Sequence, residues 1–301
     1  MKKSICYLNG RFVDVDKARI SPLDRGFLFG EGLFETWRTY SGRPYGLREH
    51  LERMAGSAAR IGIPFDPSED WEKRCIELAR RNGLLKSDGA VRITITRGRG
   101  AVGLVVDKTV EPTTLMLFRP MEPTLAAAKR DGVAVHLVSV GTGVSEKQRQ
   151  LKSLNYLAAI LARTEARERG CFEAVYHTDG PSKGKGMVLE GTTSNLFVVH
   201  RGVVRTAPID AGLLPGVTRR KTLRLARKVA KVREERFTVD DLMAADEVFL
   251  TASSIEVVPV VRIGRRKVGN AKPGAITLAM QRRYREEVAR ALDLPIEQLG
   301  D

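Results

Sequence analysis

Cysteine is scarce in this chain. Cys6, Cys75 and Cys171 are the three among 301 residues, and none belongs to a CxxC pair. That excludes a disulfide framework and a cysteine-rich zinc site, and it suits a reducing compartment. His50, His136, His177 and His200 show no metal-ligand spacing either. No apolar run approaches the length of a membrane span. The opening MKKSICYLNG lacks the apolar core of a signal peptide, so a soluble, cytoplasmic protein is expected, with no membrane partner. Acidic residues are outnumbered, 36 against 51 basic, for a net charge of +15. Such a balance can serve phosphate binding. Aromatics, however, make up only 6% of the chain and do not interleave with the basic runs Arg219-Arg220-Lys221 and Arg265-Arg266-Lys267. A stacking platform for bases is therefore missing, and small anionic ligands are expected rather than nucleic acid.

The length accommodates one large or two ordinary domains. Asn9-Gly10 between two apolar runs predicts a hairpin. Leu33 to Tyr40 and Val91 to Gly98 alternate as strands, the latter with Val91, Ile93 and Ile95 on one face. Helices are expected over about 48–61 and 71–82, the second closed by Gly83. The proline-interrupted RPMEPTLAAAKRDG breaks this rhythm and reads as a linker. The expected division is 1–119, an N-terminal α/β domain; 120–131, a linker; and 132–301, a C-terminal domain. The fold class is α/β (α+β).

The chemistry gathers in the second half. In KSLNYLAAILA, Leu154, Leu157, Ala158 and Leu161 repeat at helical steps, so a helix is expected to start at Lys152 and stop near Gly170. On that helix Lys152 and Tyr156, four apart, would share a face. Glu190 lies between two strands in VLEGTTSNLFVV. Gly216, Val217 and Thr218 in LLPGVTRR open a helix, an anion-binding arrangement. Ser253 and Ser254 form a small-residue turn in FLTASSIEVVPV. An amine, a phenol, a carboxylate and an anion site are the parts needed to hold an aldehyde cofactor that carries a phosphate and a basic pyridine nitrogen. The amine condenses with the aldehyde, and the carboxylate keeps the ring nitrogen protonated so that the ring withdraws electrons.

The order of DRGFLFGEGLFET, REHLERM, ITRGRGAVGL, LKSLNYLAAILA, VLEGTTSNLFVV, LLPGVTRR and FLTASSIEVVPV resembles the class IV (fold type IV) pyridoxal-phosphate aminotransferases over nearly the whole chain. The family includes branched-chain, D-amino-acid and (R)-amine aminotransferases and aminodeoxychorismate lyase. The resemblance implies a small N-terminal α/β domain and a larger C-terminal domain with a barrel-like β core. It further implies pyridoxal 5'-phosphate as cofactor, and a homodimer whose site lies at the domain interface and is completed by a second subunit. It assigns Lys152 as the residue that holds the cofactor and moves the proton. Glu190 would pair with the ring nitrogen and Tyr156 with the phenolic oxygen. Arg53, Gly216, Val217 (through its N–H), Thr218 and Ser253 would take the phosphate. Asn195 would support the site.

For the substrate, the resemblance points to Phe29, Thr36, Arg92 and Ser254. Arg92 matches an arginine that branched-chain enzymes use on the distal carboxylate of glutamate. RGRGAVGL and KSLNYL resemble archaeal members of that group. Thr36 instead stands where the branched-chain motif FEG has glycine and matches a position linked to the lyase. Val102 replaces the arginine usual in the lyase loop. The expected reaction is ping-pong transfer of an amino group from a branched-chain-like amino acid to 2-oxoglutarate or a similar 2-oxo acid. Aminodeoxychorismate lyase and a D-amino-acid or (R)-amine aminotransferase are the alternatives, and a basic nucleic-acid-binding protein is the outsider from another class.

Overall fold

A computed structural model of the protein describes residues 4–105, 111–140, 146–180, 182 and 184–300. The chain divides into two compact units. The first takes residues up to Met121 together with Leu151–Asn155 and Ala289–Gly300. The second takes Glu122–Gln150 and Tyr156–Val288.

The first unit contains β1 (Ile5–Leu8), β2 (Arg11–Asp14), β3 (Gly32–Tyr40), β4 (Arg43–Pro44), β5 (Gly89–Thr96) and β6 (Thr113–Pro120). They form one antiparallel sheet in the order β2-β1-β6-β5-β3-β4. Its helices are α1 (Arg25–Phe29), α2 (Leu47–Ile61) and α3 (Trp71–Arg81). Asn9 and Gly10 turn β1 into β2 with φ of 46° and 86°, the left-handed conformations that a two-residue hairpin loop requires. Leu33, Glu35 and Trp37 of β3 lie opposite Ile95, Ile93 and Val91 of β5, so all six share a face. That face packs with Leu51 and Met54 of α2 and Cys75 and Leu78 of α3 as the core. Each large apolar side chain buried there contributes roughly 1.5–3 kcal/mol. The other face carries Phe34 and Thr36, opposite Thr94 and Arg92, with Leu115 and Leu117 of β6 beyond them.

The second unit contains β7 (Val133–Ser139), β8 (Glu173–His177), β9 (Val188–Gly191), β10 (Asn195–His200), β11 (Val203–Thr206), β12 (Lys231–Glu234), β13 (Glu247–Ala252), β14 (Glu256–Ile263) and β15 (Arg266–Lys267). Its helices are α4 (Leu125–Asp131), α5 (Glu146–Arg149), α6 (Leu157–Glu168), α7 (Val217–Ala226), α8 (Val239–Met243) and α9 (Ala275–Leu292), the last of which begins in this unit. The strand order is β12-β11-β10-β13-β14-β7-β8-β9, with β15 on β14. β7 and β8 are parallel, which demands a crossover. α6 lies in that crossover, packing Ala162 and Ala166 with Cys171 and Ala174.

The sheet is curled, and chain length shows why. β9 ends the strand order while β10 is third from the other end, yet Gly191 and Asn195 are joined by a turn closed by Gly191 N–H donating to the Ser194 carbonyl at 2.7 Å. In a flat sheet, five strand spacings of about 4.8 Å would part them by roughly 24 Å. Four residue steps span at most about 14 Å. The strands from β10 to β9 therefore wrap toward closure, which is the barrel-like core expected for the C-terminal half.

Two local expectations are corrected. Lys152 does not head a helix. Residues 151–155 run beside β3 through an isolated bridge between Leu33 and Ser153: Phe34 N–H donates to the Lys152 carbonyl at 2.9 Å, and Leu154 N–H to the Gly32 carbonyl at 3.0 Å. α6 begins only at Leu157, with Tyr156 as its N-cap residue. Backbone pairing with a partner distant in sequence outweighs the local helical period, so Lys152 and Tyr156 share no helix face. The stretch 120–131, read as a linker, holds α4, anchored by buried Leu125 and Ala128.

Candidate active site

In the first unit the register places two cations on one aromatic ring. Phe34 is buried, the Arg92 guanidinium carbon lies 3.5 Å from its ring centroid, and Lys152 Nζ lies 4.4 Å from it. Arg92 also donates from Nε to Thr94 Oγ1 at 3.3 Å. Thr36, half-buried, is the cross-strand neighbour of Arg92. Phe29 ends α1, with the Arg25 guanidinium 4.8 Å from its ring centroid. Arg25 in turn holds the glycine-rich loop by donating to the carbonyls of Ala101 at 2.9 Å and Gly103 at 2.7 Å.

Behind β3, Arg53 of α2 gives Nε and Nη2 to the two oxygens of Glu35, each at 2.7 Å. His50 Nδ1 lies 2.7 Å from Glu35 Oε2. Burial by itself would raise the Glu35 carboxyl, but the charge of Arg53 and the hydrogen bonds from His50 and Arg53 outweigh it and bring it to about 2. Burial pushes His50 below its ordinary value. An ionised carboxylate can only accept, so a neutral His50 donates from Nδ1.

In the second unit, Glu190 is held at both oxygens. Leu214 N–H donates to Oε1 at 3.0 Å and Asn195 Nδ2 to Oε2 at 2.8 Å. Asn195 donates also to the Leu214 carbonyl at 3.2 Å, and it packs so close to Gly216 that a Cβ there would meet Asn195 Oδ1 at 2.0 Å. Gly216 is therefore required by space rather than by backbone angle. It is the N-cap of α7 and offers no side-chain cap, so the first N–H groups, including that of Val217, suit an anion. Thr218 Oγ1 and Ser253 Oγ are 3.2 Å apart. Ser254 follows, half-buried, in the same turn. Tyr156 lies near Tyr176, whose phenol is pushed up to about 12 by burial and then by Glu173, Tyr156 and Glu190 around it.

The structure thus groups Lys152, Arg92, Thr36 and Arg53 in one unit, and Tyr156, Glu190, Gly216, Val217, Thr218, Ser253 and Ser254 in the other. The donor set fits pyridoxal 5'-phosphate. Within the second unit, a doubly anchored carboxylate and an uncapped helix N-terminus beside two hydroxyls suit its ring nitrogen and phosphate; within the first, Lys152 supplies an amine that suits its aldehyde.

Three supporting groups escaped the sequence reading. Glu173 is fully buried and accepts from Ala174 N–H (3.0 Å) and from the hydroxyls of Thr192 (2.5 Å), Thr193 (2.9 Å) and Ser194 (3.2 Å), with Arg163 at 2.9 Å. It fixes the turn between Glu190 and Asn195. Glu256, at φ 60°, is tied to Lys129 Nζ at 2.8 Å just after the Ser253-Ser254 turn. Glu35 was visible in principle: it occupies a core-facing position between Leu33 and Trp37, and a charge in that phase demands a partner.

The amino-transferase class IV family model matches residues 32–263. A Methanocaldococcus jannaschii protein provisionally named a branched-chain-amino-acid aminotransferase is 38% identical, over 93% of this chain and 95% of its own. A D-alanine aminotransferase of Bacillus licheniformis is 32% identical (91% and 93%), and the aminodeoxychorismate lyase of Bacillus subtilis is 30% identical (94% of each). Among solved structures, the branched-chain aminotransferase of Thermoproteus uzoniensis superposes with a TM-score of 0.84 at 29% identity over 95% of each chain. Another branched-chain aminotransferase, from T.th. and solved with pyridoxamine 5'-phosphate, superposes with 0.83 at 30% identity, over 96% of this chain and 95% of that one. The chain belongs to the class IV aminotransferases. It has fold type IV and depends on pyridoxal 5'-phosphate.

The Glu35 pair makes stability sensitive to acid. Its folded pKa, about 2, lies below the ordinary value of 4.5. The stability it contributes is therefore present above the unfolded value and is lost as pH falls toward the folded one. The urea midpoint of wild type should fall more steeply between about pH 5 and pH 2 than that of Glu35→Gln; parallel curves would contradict this.

Proposed function

We propose that the chain transfers the amino group of a branched-chain-like amino acid to 2-oxoglutarate or a similar 2-oxo acid by a ping-pong mechanism. The observation that carries this reading is the outer face of the first sheet. There Leu115 and Leu117 offer apolar surface, and the Arg92 guanidinium lies over the buried Phe34 ring. Apolar surface suits an aliphatic donor, and a guanidinium suits the distal carboxylate of a dicarboxylate acceptor. The 38% identical relative supports it.

Bound pyridoxal 5'-phosphate supplies an aldehyde that condenses with amines and a protonated ring that withdraws electrons from the substrate Cα. Lys152 would hold the aldehyde carbon in the resting enzyme and, when its amine is free, would take the proton from the substrate Cα. Glu190, fixed by Asn195 and Leu214 N–H, keeps the ring nitrogen protonated, and Tyr156 donates to the phenolic oxygen. Arg53, Gly216, the Val217 N–H, Thr218 and Ser253 bind the phosphate. Phe29, Thr36, Arg92 and Ser254 contact substrate.

A second reading is aminodeoxychorismate lyase, with pyruvate as the eliminated product. Thr36 opposite Arg92 favours it, as does the 30% identical relative. The D-alanine aminotransferase relatives keep D-amino acids, and with them (R)-amines, in the donor panel. The working form is a homodimer. Leu157, Ile160 and Leu161 present an apolar stripe on α6 at 68%, 57% and 62% exposure, and a second copy would cover it. The three buried free thiols suit a reducing cytoplasm.

Purified protein loaded with cofactor should absorb in the visible, and Lys152→Ala should abolish the band. Leucine or valine should bleach that band; bleaching by D-alanine or an (R)-amine alone, or pyruvate release from aminodeoxychorismate, selects the other readings. Arg92→Ala should raise KM for 2-oxoglutarate at least tenfold more than KM for leucine, about 1.4 kcal/mol, and equal losses would remove Arg92 from that role. Leu161→Glu should shift the mass measured by light scattering toward a monomer; an unchanged dimer places the contact elsewhere.

A further inference from the structure

Glu35 occupies a position that pattern reserves for an apolar residue. Its neighbours in phase are Leu33 and Trp37, both fully buried, and it is itself 1% exposed. Burying a carboxylate costs several kcal/mol unless it is paired, and an apolar group of similar volume often serves stability as well. Stability alone therefore gives little reason for a glutamate here.

What the glutamate does supply is orientation. Arg53 meets it with two parallel hydrogen bonds of 2.7 Å, from Nε and Nη2. A two-point contact sets both the plane and the direction of a guanidinium. The carboxylate cannot swing away, because His50 Nδ1 holds Oε2 at 2.7 Å from the preceding turn of the same helix. His50 is itself 1% exposed. An arginine side chain carries about 2 kcal/mol of rotamer entropy. Here that entropy is given up on folding, before any ligand arrives, which is how preorganisation raises affinity.

We propose that Glu35, secured by His50, is a positioning residue that presets the Arg53 guanidinium for the phosphate of the cofactor. The inference rests on the assignment of Arg53 to that phosphate. The carboxylate also offsets part of the arginine's charge, so its net effect is decided by which is larger, orientation or neutralisation. Orientation should win, because a mobile arginine must be ordered again at each binding event.

The test compares pyridoxal 5'-phosphate with pyridoxal, which lacks the phosphate, as ligands of the cofactor-free apoprotein. Dissociation constants are read from absorbance and intrinsic fluorescence for wild type, Glu35→Gln, Arg53→Lys and the double variant. Glu35→Gln should weaken pyridoxal 5'-phosphate about tenfold and leave pyridoxal within about twofold. The double variant should be no weaker than Arg53→Lys, since one residue acts through the other. Unchanged or tighter binding of the phosphate form by Glu35→Gln overturns the proposal, and so does an equal loss for both ligands. If Arg53→Lys itself leaves the phosphate form unaffected, the assignment of Arg53 fails and the inference falls with it. A loss in Arg53→Lys without one in Glu35→Gln removes the inference alone. Should Glu35→Gln fail to fold, His50→Gln replaces it, with a loss of about threefold confined to the phosphate form expected and no selective loss overturning the proposal.

Discussion

Two backbone hydrogen bonds decide where Lys152 stands. Phe34 N–H to the Lys152 carbonyl, and Leu154 N–H to the Gly32 carbonyl, lay residues 151–155 along β3. A lysine on the first turn of a helix would be one more solvated charge. On the strand-like segment its ammonium lies over the Phe34 ring, on the same aromatic surface as Arg92. The Phe34 ring, the Arg92 guanidinium and the amine thus form one cluster because β3 pairs with β5 and with the lysine segment at once.

Three carboxylates carry out the rest of the positioning, each by a different device. Glu190 is anchored by one backbone and one side-chain donor and remains half-buried. Glu173 is fully buried and saturated by hydroxyls, so it shapes the turn that leads to Asn195. Glu35 is buried against a guanidinium and an imidazole, and fixes those instead. Low local dielectric strengthens each of these contacts and makes each costly to leave incomplete.

Much of the architecture was legible in the chain. The hairpin at Asn9-Gly10, the helix ending at Asn82 and Gly83, and the alternation of Val91, Ile93 and Ile95 appear as local signals predict, because turn chemistry and period are local properties. The ordered motifs from DRGFLFGEGLFET to FLTASSIEVVPV identified the family, the fold and the cofactor. The helical period of KSLNYLAAILA misled at its start, because Leu154 belongs to a strand-like segment and only Leu157 onward to α6. α4 was hidden among prolines and polar residues, its burial resting on Leu125 and Ala128 alone.

By itself, then, the sequence determined which chemical groups are present and which family they belong to, since residue types and their order carry that information. Only the tertiary structure decided which groups touch. The β3–β5 register set Arg92 against Phe34, the curl of the second sheet brought β9 to β10 and so Asn195 to Glu190, and the packing of α2 on β3 gave Arg53 and His50 to Glu35. Each contact joins elements whose proximity depends on strand pairing or on a helix packing against a sheet. A period read along one segment cannot reveal a partner that another segment supplies.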